Sequence, residues 1–261
     1  MIVAIVTIAY NSGSGLLRLV ETASSTRHDV RFYVFLHSCH AETGDACEQA
    51  ARSMPVTCYP YAENRGVSRS WNEGALAAYA AGADVVLIAN DDIVFSPGDI
   101  DKLAGKALRC RGHYIVSCAG YHQRFGRRIP SLGYSCFALN PLAFETLGCF
   151  DENIFPAYCE DQDYAYRARL AVLSEENCAE TLPYHAGSAA IFSDPGLRAQ
   201  NSLTHARNLD YYRRKWGGEG GAERFTCPFG KNEFTYYIAP DRRHAPYGPG
   251  YDRTDHDIVR I

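Results

Sequence analysis

The 261-residue sequence lacks several features that would assign it to a protein class at once. No apolar run approaches the roughly 18 residues that a membrane-spanning helix needs. The apolar start, MIVAIVTIAY, has no basic segment before it, unlike a secretion signal. The ten cysteines are scattered singly without a CxxC pair, which disfavours a zinc site and predicts that most are free buried thiols. A net charge of -4 gives no general attraction to nucleic acid or anionic membranes. These absences favour a cytoplasmic protein.

The standard phosphate-binding loops are also absent. The chain has no GxxxxGK[ST] segment, and Gly13 and Gly15 lack the third glycine of GxGxxG. If the protein binds a nucleotide, a metal ion therefore has to neutralise most of the phosphate charge.

Apolar, β-branched runs alternate with segments of helical periodicity, which is the pattern of a parallel α/β sheet. The predicted strands are Ile2–Ala9, Val30–Leu36, Pro55–Tyr59, Asp84–Ala89, Tyr114–Ala119 and Tyr134–Leu139. The predicted helices are Gly15–Ser24, Ala41–Ser53, Val67–Gly82, Asp99–Arg109, Pro141–Leu147, Glu160–Leu170 and Arg198–Lys215. From Gly218 the chain is rich in Gly, Pro, Arg and Tyr, and we predict that it is mostly irregular.

Three predicted strands end in polar residues. The segment VVLIANDDIVF places Asn90, Asp91 and Asp92 directly after a buried strand. The first two strands end at Tyr10-Asn11 and at His37. Ligands of open parallel sheets collect at the carboxyl ends of strands, and carboxylates suit Mg²⁺ or Mn²⁺. Turn capping by the two aspartates before Ser-Pro-Gly is the alternative interpretation.

A second acidic cluster lies in FDENIFPAYCEDQDYAYRARL. Glu160 and Asp161 begin a predicted helix, where negative charge complements the helix dipole, and Asp163 is spaced to pair with Arg167. Carboxylates this close together raise one another's pKa, which suits a general base. Further on, His185 follows an apolar stretch and precedes a small-residue turn. It is either structural or a ligand at a strand end.

In this order, the segments resemble glycosyltransferase family 2, which has the GT-A fold. The first strand, VTIAYNS, resembles the family's first strand. NRGVSRSWNEGALAA resembles its NxGxxxxxNxG segment, and IANDDIVF its DxD-type metal motif. LGCFDENIFPAYCEDQDYAYRARL resembles GxFDExFFxxxEDxDxxxRxxxxG, the most specific part of the match. YHAGSAA and RNLDYYRRKWGG resemble the later histidine segment and the closing helix.

The resemblance implies a Rossmann-like, mostly parallel central sheet flanked by helices, with an acceptor-side subregion towards the C-terminus. The resemblance covers residues 2–217, and we expect residues 1–217 to form one domain. Residues 1–120 would form the nucleotide-sugar-binding half, 121–217 the acceptor and catalytic half, and 218–261 an irregular extension.

The resemblance also implies a mechanism: inverting transfer of a hexosyl or deoxyhexosyl group from a nucleotide-diphosphate sugar to an acceptor hydroxyl. Asp92 would bind Mn²⁺ or Mg²⁺, with His185 as a further ligand. Asp161 would be the general base, and Glu160 is the neighbouring candidate. The metal would stabilise the charge on the leaving diphosphate.

Nine residues are expected at the nucleotide sugar. They are Ala9, Tyr10, Asn11, His37, Asn64, Arg65, Asn72, Asn90 and Asp91. Where the family usually has an aspartate that reads the base, this chain has His37, so the donor is left open as a UDP-, dTDP- or GDP-sugar. The acceptor, whether glycan, lipid-linked, protein or nucleic acid, is not specified. The basic segment YHQRFGRRIPSLGY has two interpretations, a patch that attracts a phosphate-bearing acceptor and a solvated loop. We favour the solvated loop.

Two other functions remain open. One is a non-catalytic module on the same fold that binds a sugar nucleotide or a carbohydrate. The other is a nucleotidyltransferase, which normally has a glycine-rich loop with a basic residue directly after the first strand. This chain has no Lys or Arg there before Arg18.

Overall fold

The computed structural model describes residues 1–37, 41–61, 63–110, 113–187 and 195–230. Its strands are β1 Ile2–Ala9, β2 Asp29–Leu36, β3 Val56–Pro60, β4 Val85–Ala89, β5 Ile93–Val94, β6 His113–Cys118, β7 Gly120–His122, β8 Arg127–Ile129, β9 Cys136–Leu139, β10 Ser174–Cys178 and β11 Tyr184–His185. Its helices are α1 Gly13–Ala23, α2 Ala41–Ala51, α3 Val67–Ala80, α4 Asp99–Arg109, α5 Pro141–Leu147, α6 Glu160–Leu170 and α7 Pro195–Trp216.

Seven strands form a central sheet in the order β10-β6-β9-β4-β1-β2-β3. All neighbours pair in parallel except β9, which runs antiparallel to both β4 and β6. The mostly buried β1 alternates its side chains between two cores, with Val3 and Ile5 in one and Ala4 and Val6 in the other. Helices α1, α2 and α4 cover the first face, and α3, α5 and α6 cover the second. A sheet buried on both faces explains the continuous apolar runs of its strands.

Four short strands form a second sheet in the order β5-β11-β7-β8. In it, β11 pairs antiparallel with β5 and parallel with β7. Because β5 begins directly after Asp92, this small sheet brings later parts of the chain to the carboxyl end of β4.

The helices predicted for Asp99–Arg109, Pro141–Leu147 and Glu160–Leu170 are confirmed to the residue. The last helix begins earlier than predicted, at Pro195. The strand predicted from Tyr134 begins only at Cys136, since Gly133–Ser135 form a 3-10 turn. Five strands were not predicted from the sequence: β5, β7, β8, β10 and β11. Strands of two or three residues, and the polar SEENC of β10, show no apolar period.

Two cysteines depart from the expected free thiols. Helix α2 packs beside β3, and Cys47 and Cys58 form a disulfide with 6.8 Å between their Cα atoms. Nothing in the spacing of these residues shows that pairing, because it depends on how the helix is placed against the strand. Five of the described cysteines are free and buried, as predicted: Cys118, Cys136, Cys149, Cys159 and Cys178. Cys39 lies outside the described residues.

Within the described ranges, no helix combines the length and the apolar character needed to cross a bilayer.

Residues 218–230 pack against α6 and α7. The Phe225 N–H donates to the carbonyl of Trp216, and the Tyr166 hydroxyl donates to the carbonyl of Phe225. The rest of the expected extension, 231–261, lies outside the described residues.

Candidate functional site

Three polar strand ends lie side by side, because β4, β1 and β2 are adjacent and parallel in the sheet. Ala9 at the end of β1 pairs in register with Leu36 at the end of β2, and β4 follows the same direction on the other side of β1. Neighbouring strands are about 4.8 Å apart. The segments Tyr10-Asn11, His37 and 90–92 therefore share one edge of the sheet, as the sequence predicts.

Asp92 and His185 are in contact at this edge. One carboxylate oxygen of Asp92, Oδ1, lies 3.2 Å from Nε2 of His185. The other, Oδ2, accepts a hydrogen bond from the backbone N–H of Gly187 at 3.0 Å. His185 is 4 % exposed. The pairing of β11 with β5 produces this contact, because it places His185 opposite Ile93, the residue after Asp92.

A second histidine, which was not predicted from the sequence, lies beside this pair. His122 on β7 pairs in register with His185 on β11, and their ring centroids are 4.9 Å apart. Burial lowers the pKa of His122, and the neighbouring His185 lowers it further. Both histidines follow a tyrosine, in Tyr121-His122 and Tyr184-His185, but no local pattern indicates that two such short strands pair.

The Asp92–His185 pair fits a divalent cation. Two ligand atoms bound at about 2.1 Å to one octahedral ion lie about 3 Å apart, close to the 3.2 Å between Asp92 Oδ1 and His185 Nε2. Both ring nitrogens of His185 are buried, and in the described part of the chain neither makes a hydrogen bond of good geometry. No group of three or more His, Cys, Asp or Glu side chains among the described residues is arranged to hold a metal. Two protein ligands suit an ion that also binds substrate phosphates and water.

Asn90 and Asp91 connect the end of β4 to two neighbouring segments of the chain. The backbone N–H of Asn90 donates to the carbonyl of Ser135 at 2.9 Å. The Asp91 carboxyl is hydrogen-bonded by the Ser12 side chain and the Tyr10 backbone, so it joins the end of β4 to the loop after β1. Burial, followed by the charge of Asp92, raises the pKa of Asp91 to about 7.

The loop after β1 turns sharply at the same edge. Ala9 is buried, Tyr10 is half-buried, and Asn11 is exposed with φ of 53°, in the left-handed region that asparagine tolerates better than most residues. An asparagine here lets the chain turn directly from the strand into α1. Tyr10 and Asn11 thus flank the end of β1, between the ends of β2 and β4.

His37 and Asn64 lie at the end of β2 and at the start of α3. The ring of His37 is buried, with Nε2 2.7 Å from the Ser70 hydroxyl. Burial lowers its pKa to about 4, although a hydrogen bond with the Asn64 side chain opposes the shift. His37 is therefore neutral at pH 7. Asn64 also accepts the backbone N–H of Gly66 at 2.8 Å.

Arg65 and Asn72 differ sharply in exposure. The guanidinium of Arg65 lies 4.5 Å from the centre of the Tyr61 ring and remains partly exposed. Asn72 is fully buried, and its amide both accepts from Phe150 N–H at 2.7 Å and donates to Phe150 C=O at 2.9 Å. These hydrogen bonds give Asn72 a structural role, and the contact with ribose or phosphate expected from the sequence stays a prediction. Asn72 ties α3 to the segment that leads to Glu160.

Glu160 and Asp161 occupy the first turn of α6. Burial, followed by the charge of Asp161, raises the pKa of Glu160 to about 8, so Glu160 is protonated at neutral pH. Burial also raises the pKa of Asp161. Asp161 is the more exposed of the two, and its Oδ1 accepts the backbone N–H of Gln162. At pH 7 Asp161 is therefore the better proton acceptor, and its raised pKa strengthens it as a base.

The loop before α6 is fixed to the carboxyl edge of the sheet. The backbone N–H of Val67, the first residue of α3, donates to the carbonyl of Pro156 at 2.7 Å. Gly66 has φ of 82°, and a Cβ there would lie 2.7 Å from the Phe155 ring, so only glycine permits this approach. Since α3 begins after β3, this contact holds the Glu160–Asp161 loop on the side of the sheet where Asp92 lies.

Asp163 is held in a buried network rather than facing the site. It contacts Arg167 Nε at 3.0 Å, Trp216 Nε1 at 2.8 Å and the amine of Lys215. Burial alone would raise its pKa, but the charges of Lys215 and Arg167 outweigh burial and lower it. Lys215 also contacts Asp151 at 2.9 Å, so α7 is joined to both ends of the segment 151–163.

The family model for glycosyl transferase family 2 matches residues 4–161, more than half of the chain. The chain belongs to glycosyltransferase family 2. In this family member, the match begins in β1 and ends at Asp161. It therefore includes the NDD segment and the Glu160–Asp161 pair, whereas His185 and α7 lie beyond it. A comparison with curated protein sequences finds no significant match.

Solved structures similar to this family 2 chain are GT-A glycosyltransferases. The mannosyltransferase PcManGT from Pyrobaculum calidifontis, in complex with GDP-Man and Mn²⁺, matches with a TM-score of 0.56 at 16% identity, over 78% of this chain and 62% of its own. S. aureus TarS matches with a TM-score of 0.58 at 13% identity, over 83% and 44%. GalNAc-T7 with UDP, GalNAc and Mn²⁺ matches with a TM-score of 0.60 at 11% identity, over 82% and 50%. At these identities the similarity shows the GT-A fold, and the chain spans less than two thirds of each protein.

Proposed function

We propose that this protein transfers a hexosyl or deoxyhexosyl group from a nucleotide-diphosphate sugar to an acceptor hydroxyl, with inversion at the anomeric carbon. One observation carries the proposal. The Asp92–His185 pair lies at the carboxyl end of β4, and the loop leading to Asp161 is anchored to the same edge of the sheet through Val67 and Pro156. A cation site and a base on one edge suit a donor diphosphate and an acceptor hydroxyl on opposite sides of the sugar.

In this proposal, Asp92 and His185 hold Mn²⁺ or Mg²⁺ together with the donor diphosphate. The ion supplies Lewis-acid stabilisation of the leaving diphosphate. The bound Mn²⁺ of PcManGT and GalNAc-T7 supports a divalent ion. The N–H of Gly187 orients Asp92 by binding its second oxygen.

Asp161 takes the acceptor proton in the proposed reaction. Its partial exposure gives an acceptor access to the carboxylate, and the protonated Glu160 beside it adds no second negative charge at pH 7. A positioned base of this kind contributes about 10²–10⁴-fold in rate. The roles of the pair are therefore unequal: Asp161 accepts the proton, and Glu160 is a neutral neighbour.

The nucleotide is proposed to lie across the ends of β1 and β2. Ala9, Tyr10 and Asn11 border this place on one side, and Asn64 and Arg65 border it on the other. The buried and neutral His37 contributes as an uncharged group. The nucleotide sugars named for the solved neighbours, GDP-Man and UDP with GalNAc, support a UDP-, dTDP- or GDP-sugar donor.

A thermal-shift screen of UDP-, GDP- and dTDP-sugars with and without Mn²⁺, followed by an assay of nucleotide release, tests the proposal. A donor at a hundred times its Kd stabilises the protein by about 2.7 kcal/mol. We expect one nucleotide class to stabilise the protein when Mn²⁺ is present and to be turned over slowly with water as acceptor. Stabilisation without turnover would favour the non-catalytic binding module. Release of pyrophosphate from a nucleoside triphosphate and a sugar phosphate would favour a nucleotidyltransferase.

A further inference from the structure

Helix α6 begins without a cap of its own. Its N-cap residue, Cys159, has φ of 77° and ψ of −9° and makes no side-chain capping hydrogen bond. Tyr158 before it has φ of 71°. N-cap residues normally have extended backbone and an oxygen-bearing side chain. Two consecutive left-handed residues that are not glycine persist only where the surrounding structure holds them. Something outside α6 must therefore hold the turn that presents Glu160 and Asp161.

The side chain that holds this turn is Asn208 on α7. Its Oδ1 accepts the backbone N–H of Phe155 at 3.2 Å, and its Nδ2 donates to the carbonyls of Ala157 at 2.8 Å and Tyr158 at 3.1 Å. Asn208 is 4 % exposed. The side-chain amide of Asn208 thus binds three backbone groups in the four residues 155–158, although it lies 50 residues after Tyr158 in the chain.

Helix α7 makes further buried contacts with the same segment. Tyr211 and Lys215, three and seven residues after Asn208, lie on the same helix face and both contact Asp151, each at 2.9 Å. Trp216 contacts Asp163 at 2.8 Å. The segment 151–163 is therefore bound to α7 at its beginning, at its end and, through Asn208, at the turn between them.

We propose that Asn208 is a positioning residue for the Glu160–Asp161 pair. By donating to the carbonyls of Ala157 and Tyr158, it holds the left-handed turn that directs the start of α6 towards the acceptor. Asn208 touches no substrate in this account, and its catalytic part rests on the proposed glycosyl transfer. Without the two donated hydrogen bonds, the turn relaxes towards ordinary backbone angles and the Asp161 carboxylate moves.

The substitution Asn208→Asp separates positioning from packing. Aspartate has the shape of asparagine and still accepts from Phe155 N–H, but it places an oxygen against two carbonyls in place of the donor. Asn208→Ala removes both functions and is the second variant. The matched control is Asn140→Asp, because Asn140 is also buried, accepts one backbone N–H from Ala143 and donates to the carbonyls of Ala107 and Cys110. Asn140 follows β9 at the opposite edge of the sheet, since Leu139 pairs with Val86 near the start of β4.

Two measurements decide the inference. Hydrogen exchange of the backbone amides should accelerate in residues 157–163 of both Asn208 variants and stay unchanged there in the Asn140 control. For the donor that the wild type turns over, kcat should fall by about 10²-fold, the effect of a displacement of about 1 Å, with the donor KM changed less than about twofold. Asn140→Asp should leave kcat unchanged.

If the wild type turns over no nucleotide sugar, the proposed glycosyl transfer fails, while amide exchange still decides whether Asn208 holds the turn. The inference is overturned if Asn208→Asp leaves the exchange of residues 157–163 at the wild-type rate. It is equally overturned if that variant keeps the wild-type kcat with a folded α6.

Discussion

Lys215 and Asp163 are in direct contact across 52 residues of chain, and neither side chain is exposed to solvent. The contact joins α7 to the first turn of α6, two residues after Asp161. A charge pair buried this completely is costly to break from one side, because the remaining charge is left without its counter-ion. Asp163 is therefore held in this buried network, whereas Asp161, two residues earlier, is partly exposed.

Replacing these two aspartates in turn should give opposite results. Asp161→Asn should lower the rate of nucleotide release by about 10²–10⁴-fold and leave donor affinity and thermal stability near wild type. Asp163→Asn should lower the free energy of unfolding by about 3–5 kcal/mol, because it leaves Lys215 and Arg167 with less negative charge in the interior. Steady-state kinetics and urea denaturation measure the two effects. Asp210→Asn on the exposed face of α7 is the control and should change neither.

The interpretation fails if Asp161→Asn unfolds the protein, or if Asp163→Asn is as stable as the wild type.

The Asp163 carboxylate also makes the stability of the protein depend on pH in the acid range. Its pKa is lowered in the folded state, so its contribution to stability is present above the unfolded value and is lost as the pH falls through the folded pKa.

The substitution Glu160→Gln should change how stability depends on pH. The pKa of Glu160 is about 8 in the folded protein, against 4.5 for an ordinary glutamate. Between these values the folded state holds a proton that the unfolded state has lost, so the free energy of unfolding falls as pH rises. The limiting slope is about 1.4 kcal/mol per pH unit for one proton.

Glutamine does not titrate, so it contributes no such slope. The free energy of unfolding of the variant should therefore increase relative to that of the wild type as the pH rises from 5 to 8. Urea denaturation at several pH values measures the difference. Asp91, with a pKa of about 7, contributes the same slope to both proteins, so its contribution cancels in the difference between them. Parallel stability curves for the two proteins would show that Glu160 is ionised in the folded state.

Removing either partner of the Asp92–His185 pair should weaken cation binding. We expect Asp92→Asn and His185→Ala each to raise the Kd for Mn²⁺ by at least about tenfold, as the loss of groups around a metal usually does. Calorimetric titration of Mn²⁺ in the presence of a nucleoside diphosphate measures this without any turnover. Asp101→Asn, which alters a carboxylate on α4 bound by Thr26, should leave the Kd unchanged. Equal Mn²⁺ affinity in the wild type and Asp92→Asn would place the cation elsewhere.

Asn72 and Arg65 should respond to substitution in opposite ways. Asn72→Ala leaves both backbone groups of Phe150 without their partner and should lower the free energy of unfolding by about 1–3 kcal/mol, with donor affinity unchanged in the folded fraction. Arg65→Ala should weaken donor binding with little loss of stability, since Arg65 is partly exposed. Chemical denaturation and ligand titration give the two quantities. A fall in donor affinity for Asn72→Ala at full stability would instead support a direct contact with the donor.

The sequence by itself determined the elements that follow from a local pattern. Strands β1, β2 and β4 are five to eight residues long, mostly apolar and followed by polar residues. The edge strand β3 is largely exposed. The first turn of α6 is acidic and follows a proline, so its start was predicted to the residue. The carboxyl ends of β1, β2 and β4 lie at one edge because parallel strands linked by helices have no other arrangement. The strand-end argument pointed to Asp92, whereas the acidic start of α6 and the family resemblance pointed to Asp161.

Only the tertiary structure decided which side chains meet across the chain. His122 meets His185 through two strands too short to show a period. The hydrogen bonds of Asn72 to Phe150 span 78 residues, and the local segment NRGVSRSWNEG does not show them. Asn208, Tyr211 and Lys215 look like an ordinary polar helix in the sequence, and their partners lie 50 to 64 residues away. Local patterns record which face of an element is apolar. Contacts between polar groups on distant elements depend on how those elements pack together, and no sequence spacing records that.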